Sequence, residues 1–224
     1  MNAIVTGANR GIGLELVRQL LARGANVVAT CRQPEEAREL RATGARVHAL
    51  DVALDASVAE LAAALDGMAV DLLINNAGVY GDARQRVADF DYAAATRTFE
   101  TNALGALRVS QAFLPHLRRG TGKKIAHISS AMGSIGTTTS PGDLAYRMSK
   151  AALNMISKSI ALELQDDHII SIVVHPGWVR TDMGGPNAPT TAAESARGIL
   201  TQIDAAGFID SGQFVDFQGA RCAW

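Results

Sequence analysis

Tyr146 and Lys150 lie four apart in residues 145–153, a run whose apolar positions repeat at helical spacing. At that separation both side chains emerge on one helix face. A phenol with a reference pKa of about 10 and an ammonium near 10.4 are poor proton-transfer groups at neutral pH, but a fixed positive charge beside a phenol stabilises phenolate and lowers its pKa. Tyr146 would then be a usable proton donor or acceptor. A packed ring and a solvated ammonium are the other meaning of the same spacing, so the surrounding elements must decide.

The first of those elements is at the start of the chain. Residues 3–5 are a short apolar run, followed by Thr6-Gly7-Ala8-Asn9-Arg10-Gly11-Ile12-Gly13 and then by Leu14, Leu16, Val17, Leu20 and Leu21 at helical spacing. This predicts strand, tight turn and helix. Gly7, Gly11 and Gly13 let the backbone turn sharply and let a phosphate approach the helix N-terminus, where free N–H groups and the dipole favour negative charge. Gly24 closes the helix before an apolar second strand at 26–31, completing the βαβ setting that a dinucleotide site requires.

The end of the second strand selects the cofactor, because an acid there accepts the ribose 2′-OH and a base pairs with a 2′-phosphate. No acid follows Cys31; Arg32 does, and Arg10 stands in the glycine turn. The expectation is NADP(H) rather than NAD(H), the plainer alternative being that both arginines are solvated surface charges.

Further along, a helix begins at Pro34 and stops at Gly44, and a strand at 46–50 ends in Asp51-Val52, at the sheet edge where doubly wound folds bind ligands, although Asp51 equally suits a turn cap. Residues 56–65 are helical. An apolar strand at 70–74 runs into Asn75-Asn76-Ala77-Gly78, small and amide residues that suit close approach of a ligand or a structural turn. Residues 90–118 read as one long helical region containing Asn102. A strand at 124–129 ends in Ser129-Ser130, and a Gly/Ser/Thr-rich loop at 133–142 leads to the Tyr146 helix over 143–165. A sixth strand at 169–175 is broken by Pro176-Gly177. The breaker-dense residues 184–189 suit a mobile lid, and a helix at 191–203 and a strand at 213–217 follow.

Composition excludes several classes. The 224 residues are 48% hydrophobic and 19% charged, and 21 Lys plus Arg against 22 Asp plus Glu leave a net charge of −1. One globular domain over 1–224 is expected, with no general attraction to nucleic acid or to an anionic membrane. Cys31 and Cys222 provide neither a disulfide framework nor metal-ligand spacing, and no apolar run is long enough to span a membrane. A cytoplasmic location follows as the expectation.

Taken together, the glycine turn, Asn75-Asn76-Ala77-Gly78, Ser130, Tyr146 to Lys150 and Pro176-Gly177 resemble, in order and over essentially the whole chain, the motifs of the short-chain dehydrogenase/reductase family. Within it, Pro176-Gly177-Trp178-Val179-Arg180-Thr181-Asp182-Met183 and Phe214-Val215-Asp216-Phe217 look like the branch that contains the bacterial C-factor signalling protein and the sniffer carbonyl reductases. The resemblance implies a single-domain Rossmann-type α/β fold, a doubly wound seven-stranded parallel sheet with helices on both faces. It implies a carbonyl or alcohol as small-molecule substrate and a homodimer or homotetramer.

It also implies roles. Tyr146 is the general acid-base, Lys150 lowers its pKa and holds the nicotinamide ribose, Ser130 orients the substrate carbonyl, and Asn102 holds a water in a proton relay. Gly7, Asn9, Arg10, Gly11, Ile12 and Gly13 match the dinucleotide turn, as do Asn76, Ala77 and Gly78 the segment beside it. Asp51 and Val52 match the adenine pocket, and Pro176, Gly177, Val179 and Thr181 the carboxamide side. The segment between Ser130 and Tyr146 is longer than the family's commonest spacing, which leaves Ser129 as the alternative hydroxyl. A dinucleotide-binding signalling protein with little turnover is the competing function. Tyr80, Met132, Ile135, Trp178 and Met183 are candidates for an apolar substrate wall.

Overall fold

The computed structural model describes residues 1–81 and 85–224. Seven strands, β1 (Asn2–Val5), β2 (Asn26–Cys31), β3 (Arg46–Ala49), β4 (Leu72–Asn75), β5 (Lys124–Ile128), β6 (Ile170–His175) and β7 (Phe214–Asp216), form one parallel sheet in the order β7-β6-β5-β4-β1-β2-β3. The chain winds outward from β1 to β3, crosses back to β4 beside β1, and winds the other way. A crevice therefore opens where β1 and β4 end, the point at which doubly wound sheets take their ligands. The expected seven-stranded doubly wound sheet is the one found.

The helices are α1 (Gly11–Ala22), α2 (Asp55–Ala64), α3 (Tyr92–Phe99), α4 (Gly105–Ala112), α5 (Leu114–Arg119), α6 (Leu144–Glu163) and α7 (Ala192–Ala205). Strand residues alternate between two apolar layers, as the period of 2 requires. Ala3 and Val5 pack with Leu14 and Val17 of α1 and Ile199 of α7. Ile4, Leu73 and Ile125 pack on the other face with Leu61 of α2, Val109 of α4 and Ile160 of α6. Coverage of both faces explains why β4 and β6 read as continuous apolar runs rather than alternating ones.

Three expectations differ from the structure. Residues 90–118 are not one helix. Asp89–Phe90 pairs with Gln85–Arg86, the Asp91 carboxylate caps α3 by accepting from the Ala94 N–H at 2.9 Å, and Glu100–Leu104 forms a π-helical turn between α3 and α4. Phe113 then leaves helical geometry, and Pro115 is tolerated in the first turn of α5 because no helical N–H is needed there. The helix begun at Pro34 is only a 3-10 turn, Pro34–Glu36, followed by the single turn Arg38–Arg41.

The supposed lid is clasped. Val179–Arg180 pairs in parallel with Thr190–Thr191, Ala188 is buried, Arg180 Nε donates to the Ala188 carbonyl at 3.2 Å, and Trp178 Nε1 donates to the Gly184 carbonyl at 2.7 Å. The breaker residues there make the turns between the paired ends. After β7 the chain returns on itself: Val215 bridges Arg221, and the Trp224 carbonyl accepts from the Gly136 N–H at 2.9 Å, holding the loop that precedes α6.

Candidate active site

A cleft of about 840 Å³ lies along the ends of β1, β2, β4 and β5, and its walls include Gly7, Asn9, Gly11, Ile12 and Gly13 from the turn into α1. Gly7 has φ of +64°, a conformation that glycine adopts without strain. A Cβ on Gly13 would stand 2.4 Å from the Gly7 carbonyl oxygen and 2.5 Å from Asn76 Nδ2, so only hydrogen fits there. Arg10 at the N-terminus of α1 makes no side-chain cap, and no acid occupies the first turn, which leaves that positive helix end to the cleft.

The Asn75-Asn76-Ala77-Gly78 segment braces this turn from the β4 side. Asn76 Nδ2 donates to the Thr6 and Gly7 carbonyls, both at 2.9 Å, while Thr6 Oγ1 accepts from the Asn76 and Ala77 N–H groups at 3.1 and 3.0 Å. Both meanings the sequence allowed are realised: the amides fix the turn, and Asn76, Ala77 and Gly78 also form cleft wall.

At the β2 end the wall includes Arg10, Arg32, Asp51 and Val52. The Asp51 carboxylate accepts from the Ala53 N–H at 3.0 Å, so it caps the turn while bordering the cleft. Arg10 is ion-paired with Asp182, an exposed contact between the glycine turn and the loop after β6. The sequence reading missed Arg38, which joins Arg32 on this wall; among the described residues neither has a carboxylate partner. Its signal was weak, a basic residue in a segment taken for an ordinary helix.

At the β5 end stand Tyr146 and Lys150, both buried. Lys150 Nζ donates to the Ile128 carbonyl at 2.8 Å and lies 5.7 Å from the Tyr146 ring centre. The Ser130 hydroxyl, which accepts from the Met132 N–H at 3.1 Å, is near enough to the Tyr146 phenol to favour its ionised form. Ser129 borders the cleft, and its hydroxyl donates to Asn154 Oδ1 of α6 at 2.6 Å. The two serines that the sequence left as alternatives are thus distinguished by partner.

Asn102 occupies the π-helical turn. Its Oδ1 accepts from the Val79 N–H at 2.8 Å, and its Nδ2 donates to the Val79 carbonyl at 2.8 Å and to Ser149 Oγ at 2.9 Å. The position that a Gly78 side chain would fill lies 3.3 Å from Asn102 Oδ1 and 3.5 Å from Lys150 Nζ, so the missing side chain leaves space bordered by both groups.

Burial sets the proton affinities here. It pushes the Tyr146 phenol up to about 12, against a lowering by Ser130, and it pulls the Lys150 ammonium down to about 8. Burial therefore raises Tyr146 where a lowering by Lys150 was expected, and the lowering influence on the phenol is Ser130. His127, one residue before Ile128, is fully buried and held neutral, its pKa brought down to about 3 by burial and by Lys150.

Of the residues expected beside the carboxamide, Pro176 and Thr181 border the cleft. Gly177 and Val179 do not. Gly177 turns at φ of +85° against the Phe217 ring, and Val179 is buried in pairing with Thr190. Of the apolar candidates, Met183 is on the cleft wall and Tyr80 stacks on Tyr146 with ring centres 4.7 Å apart, whereas Ile135 and Trp178 are exposed.

A glycine turn opening a helix, a buried phenol and a buried ammonium thus lie along one cleft at a sheet crossover. The chain belongs to the short-chain dehydrogenase family, whose sequence model matches residues 1–192. It is 50% identical over 155 residues to the C-signal protein of Myxococcus xanthus, covering 69% of this chain and 93% of that one. The crystal structure of NADPH-bound carbonyl reductase from chicken fatty liver superposes with a TM-score of 0.94 at 36% identity, covering 100% of this chain and 98% of the other. The carbonyl reductase Sniffer of D. melanogaster follows with a TM-score of 0.93 at 32% identity, covering 100% and 99%. The resemblance to the C-factor and sniffer branch is borne out.

Proposed function

We propose that the protein is an NADP(H)-dependent carbonyl reductase, its reverse reaction being alcohol oxidation, with Tyr146 as general acid-base. The observation that carries this reading is the placement of buried Tyr146 and Lys150 at one end of a cleft whose other end is walled by Arg32. In the sheet those ends belong to β5 and β2, separated by β4 and β1, a span of about 14 Å at the usual strand spacing. The uncapped start of α1 lies between them and suits a pyrophosphate.

Bound nicotinamide supplies the hydride taken up by the carbonyl carbon. Tyr146 gives its proton to the oxygen as alkoxide charge develops, and Ser130 orients that oxygen and shares its charge. A pKa of about 12 keeps Tyr146 protonated at neutral pH, which favours reduction over oxidation. Lys150 holds the ribose, and its ammonium stabilises negative charge beside it. The proton returns through a water in the space over Gly78, between Asn102 Oδ1 and Lys150 Nζ. Arg32, Arg10 and Arg38 favour the 2′-phosphate, Arg10 by exchanging Asp182 for it.

The cofactor assignment is also supported by the NADPH-bound carbonyl reductase described above. A single domain over residues 1–224 serves cofactor and substrate. Exposed Met148, Met155 and Leu162, at seven-residue intervals along α6, support self-association into a homodimer or homotetramer. Among the described residues no helix is long and apolar enough to cross a membrane.

A second reading, a dinucleotide-binding signalling protein with little turnover, is favoured by the identity to C-signal. The proton-transfer groups support catalysis, because a binding module has no use for them. Incubation with NADPH and a panel of ketones, aldehydes and quinones tests the proposal: alcohol formed in equal amount to NADPH consumed supports it, and NADPH binding without any product supports the signalling reading.

A further inference from the structure

Tyr80 belongs to no motif, yet several contacts converge on it and on its neighbour Val79. Its ring lies against the Tyr146 ring, centres 4.7 Å apart and planes at 31°. Its hydroxyl is close to the Asp143 carboxylate, at the residue that caps the start of α6 in a left-handed conformation, φ +54°. Its carbonyl accepts from Gln85 Nε2 at 3.2 Å, while Oε1 of the same Gln85 accepts from the Tyr146 N–H at 2.9 Å. The preceding residue, Val79, has both its N–H and its carbonyl held by Asn102.

These contacts form a closed frame. Asn102 fixes the backbone just before Tyr80, Gln85 ties the Tyr80 backbone to that of Tyr146, and Asp143 fixes the outer end of the Tyr80 ring. Tyr146, at 7% exposure, has little contact with solvent, whereas Tyr80, at 37%, stands between it and water. A stacked aromatic pair adds roughly 0.5–1.5 kcal/mol beyond area burial and restricts ring motion. A Phe or Leu in place of Tyr80 would exclude water but could not reach Asp143.

Resting on the carbonyl reductase reading, we propose that Tyr80 is a positioning residue for Tyr146: stacked on it and anchored by Asp143, it holds the proton-donating phenol in line and keeps water from its ring face. Tyr80 exchanges no proton with substrate. Its hydroxyl serves Asp143, and burial together with that carboxylate keeps it protonated well above the usual phenol range. Arg147 does not compete for Asp143, because its guanidinium donates to the Gly142 carbonyl and to Thr138 and Ser140.

The test compares Tyr80→Ala, Tyr80→Phe and Asp143→Asn with wild type in kcat, KM, NADPH Kd and the 19F spectrum of 3-fluorotyrosine-labelled protein. The chain has three tyrosines, so the Tyr146 resonance is assignable by substitution. Tyr80→Ala is expected to lower kcat about tenfold with NADPH Kd unchanged, and to raise the H2O-to-D2O isotope shift of the Tyr146 resonance toward that of a solvated ring. Tyr80→Phe restores the isotope shift and most of kcat, and Asp143→Asn falls between. The isotope shift needs no turnover, so it decides the proposal even where the carbonyl panel yields no product. An unchanged kcat and isotope shift in Tyr80→Ala would overturn it, as would a loss confined to KM or NADPH Kd.

Discussion

Lys150 aims its ammonium at the Ile128 carbonyl, 2.8 Å away, rather than at the phenol of Tyr146. Its burial holds the pKa near 8, below the ordinary lysine value of 10.5. Lys150 is therefore charged below pH 8 and loses that charge as pH rises through 8. With Tyr146 protonated up to about 12, kcat/KM for reduction should fall about tenfold per pH unit above 8, because this constant reports the free enzyme. Lys150→Met should abolish the inflection and weaken NADPH binding. A wild-type profile flat to pH 10 would count against the assigned role. The same shift makes stability rise between pH 8 and 10.5, where the unfolded lysine binds a proton that the folded one has shed.

The two serines at the end of β5 should separate cleanly. Ser130→Ala removes the hydroxyl near the Tyr146 phenol and is expected to lower turnover on the order of 10²-fold with little change in stability. Ser129→Ala leaves Asn154 Oδ1 unpaired in the interior, which should cost about 1–3 kcal/mol in denaturant unfolding with turnover nearly kept. The reverse pattern would make Ser129 the acting hydroxyl.

Cofactor choice should depend on the arginines of the β2 end. Arg32→Ala and Arg38→Ala each remove a side chain with no carboxylate partner among the described residues. Each charged hydrogen bond lost to a 2′-phosphate should weaken NADPH about 10- to 100-fold and leave NADH unchanged, as read by titration calorimetry. Arg10→Ala should weaken NADPH less, because wild-type Arg10 must first leave Asp182. Equal losses for both cofactors would remove the arginines from 2′-phosphate recognition.

Gly13→Ala should abolish dinucleotide binding. The new methyl would meet the Gly7 carbonyl at 2.4 Å and Asn76 Nδ2 at 2.5 Å, so the turn and its brace must both shift. Fluorescence titration with NADPH should show no saturation, accompanied by a lower Tm. A variant that binds as wild type would show that the turn is looser than its packing implies.

The sheet and the glycine turn were legible because apolar runs buried on both faces and glycines at forced conformations leave unmistakable residue types. Tyr146 and Lys150 stood out by their four-residue helical spacing and Ser130 by its place at the end of an apolar strand, while their roles came only with the family resemblance. The π-helical turn at Glu100–Leu104 was not, since a change from one helical hydrogen-bond pattern to another has no residue-type signature. The clasp between Val179–Arg180 and Thr190–Thr191 was too short to show a period, and the breakers around it pointed to mobility. The direction of the Tyr146 shift was missed because spacing reveals a neighbouring charge but not the depth of burial. Tyr80 was noticed only as an apolar wall, since its frame joins residues far apart in the chain.

The most direct test of carbonyl reduction by Tyr146 is NADPH oxidation followed at 340 nm with a reducible ketone or aldehyde, comparing wild type with Tyr146→Phe. The account predicts turnover by wild type, a loss on the order of 10²- to 10⁴-fold in the variant, and the same NADPH Kd in both. Equal turnover in the two proteins would contradict it.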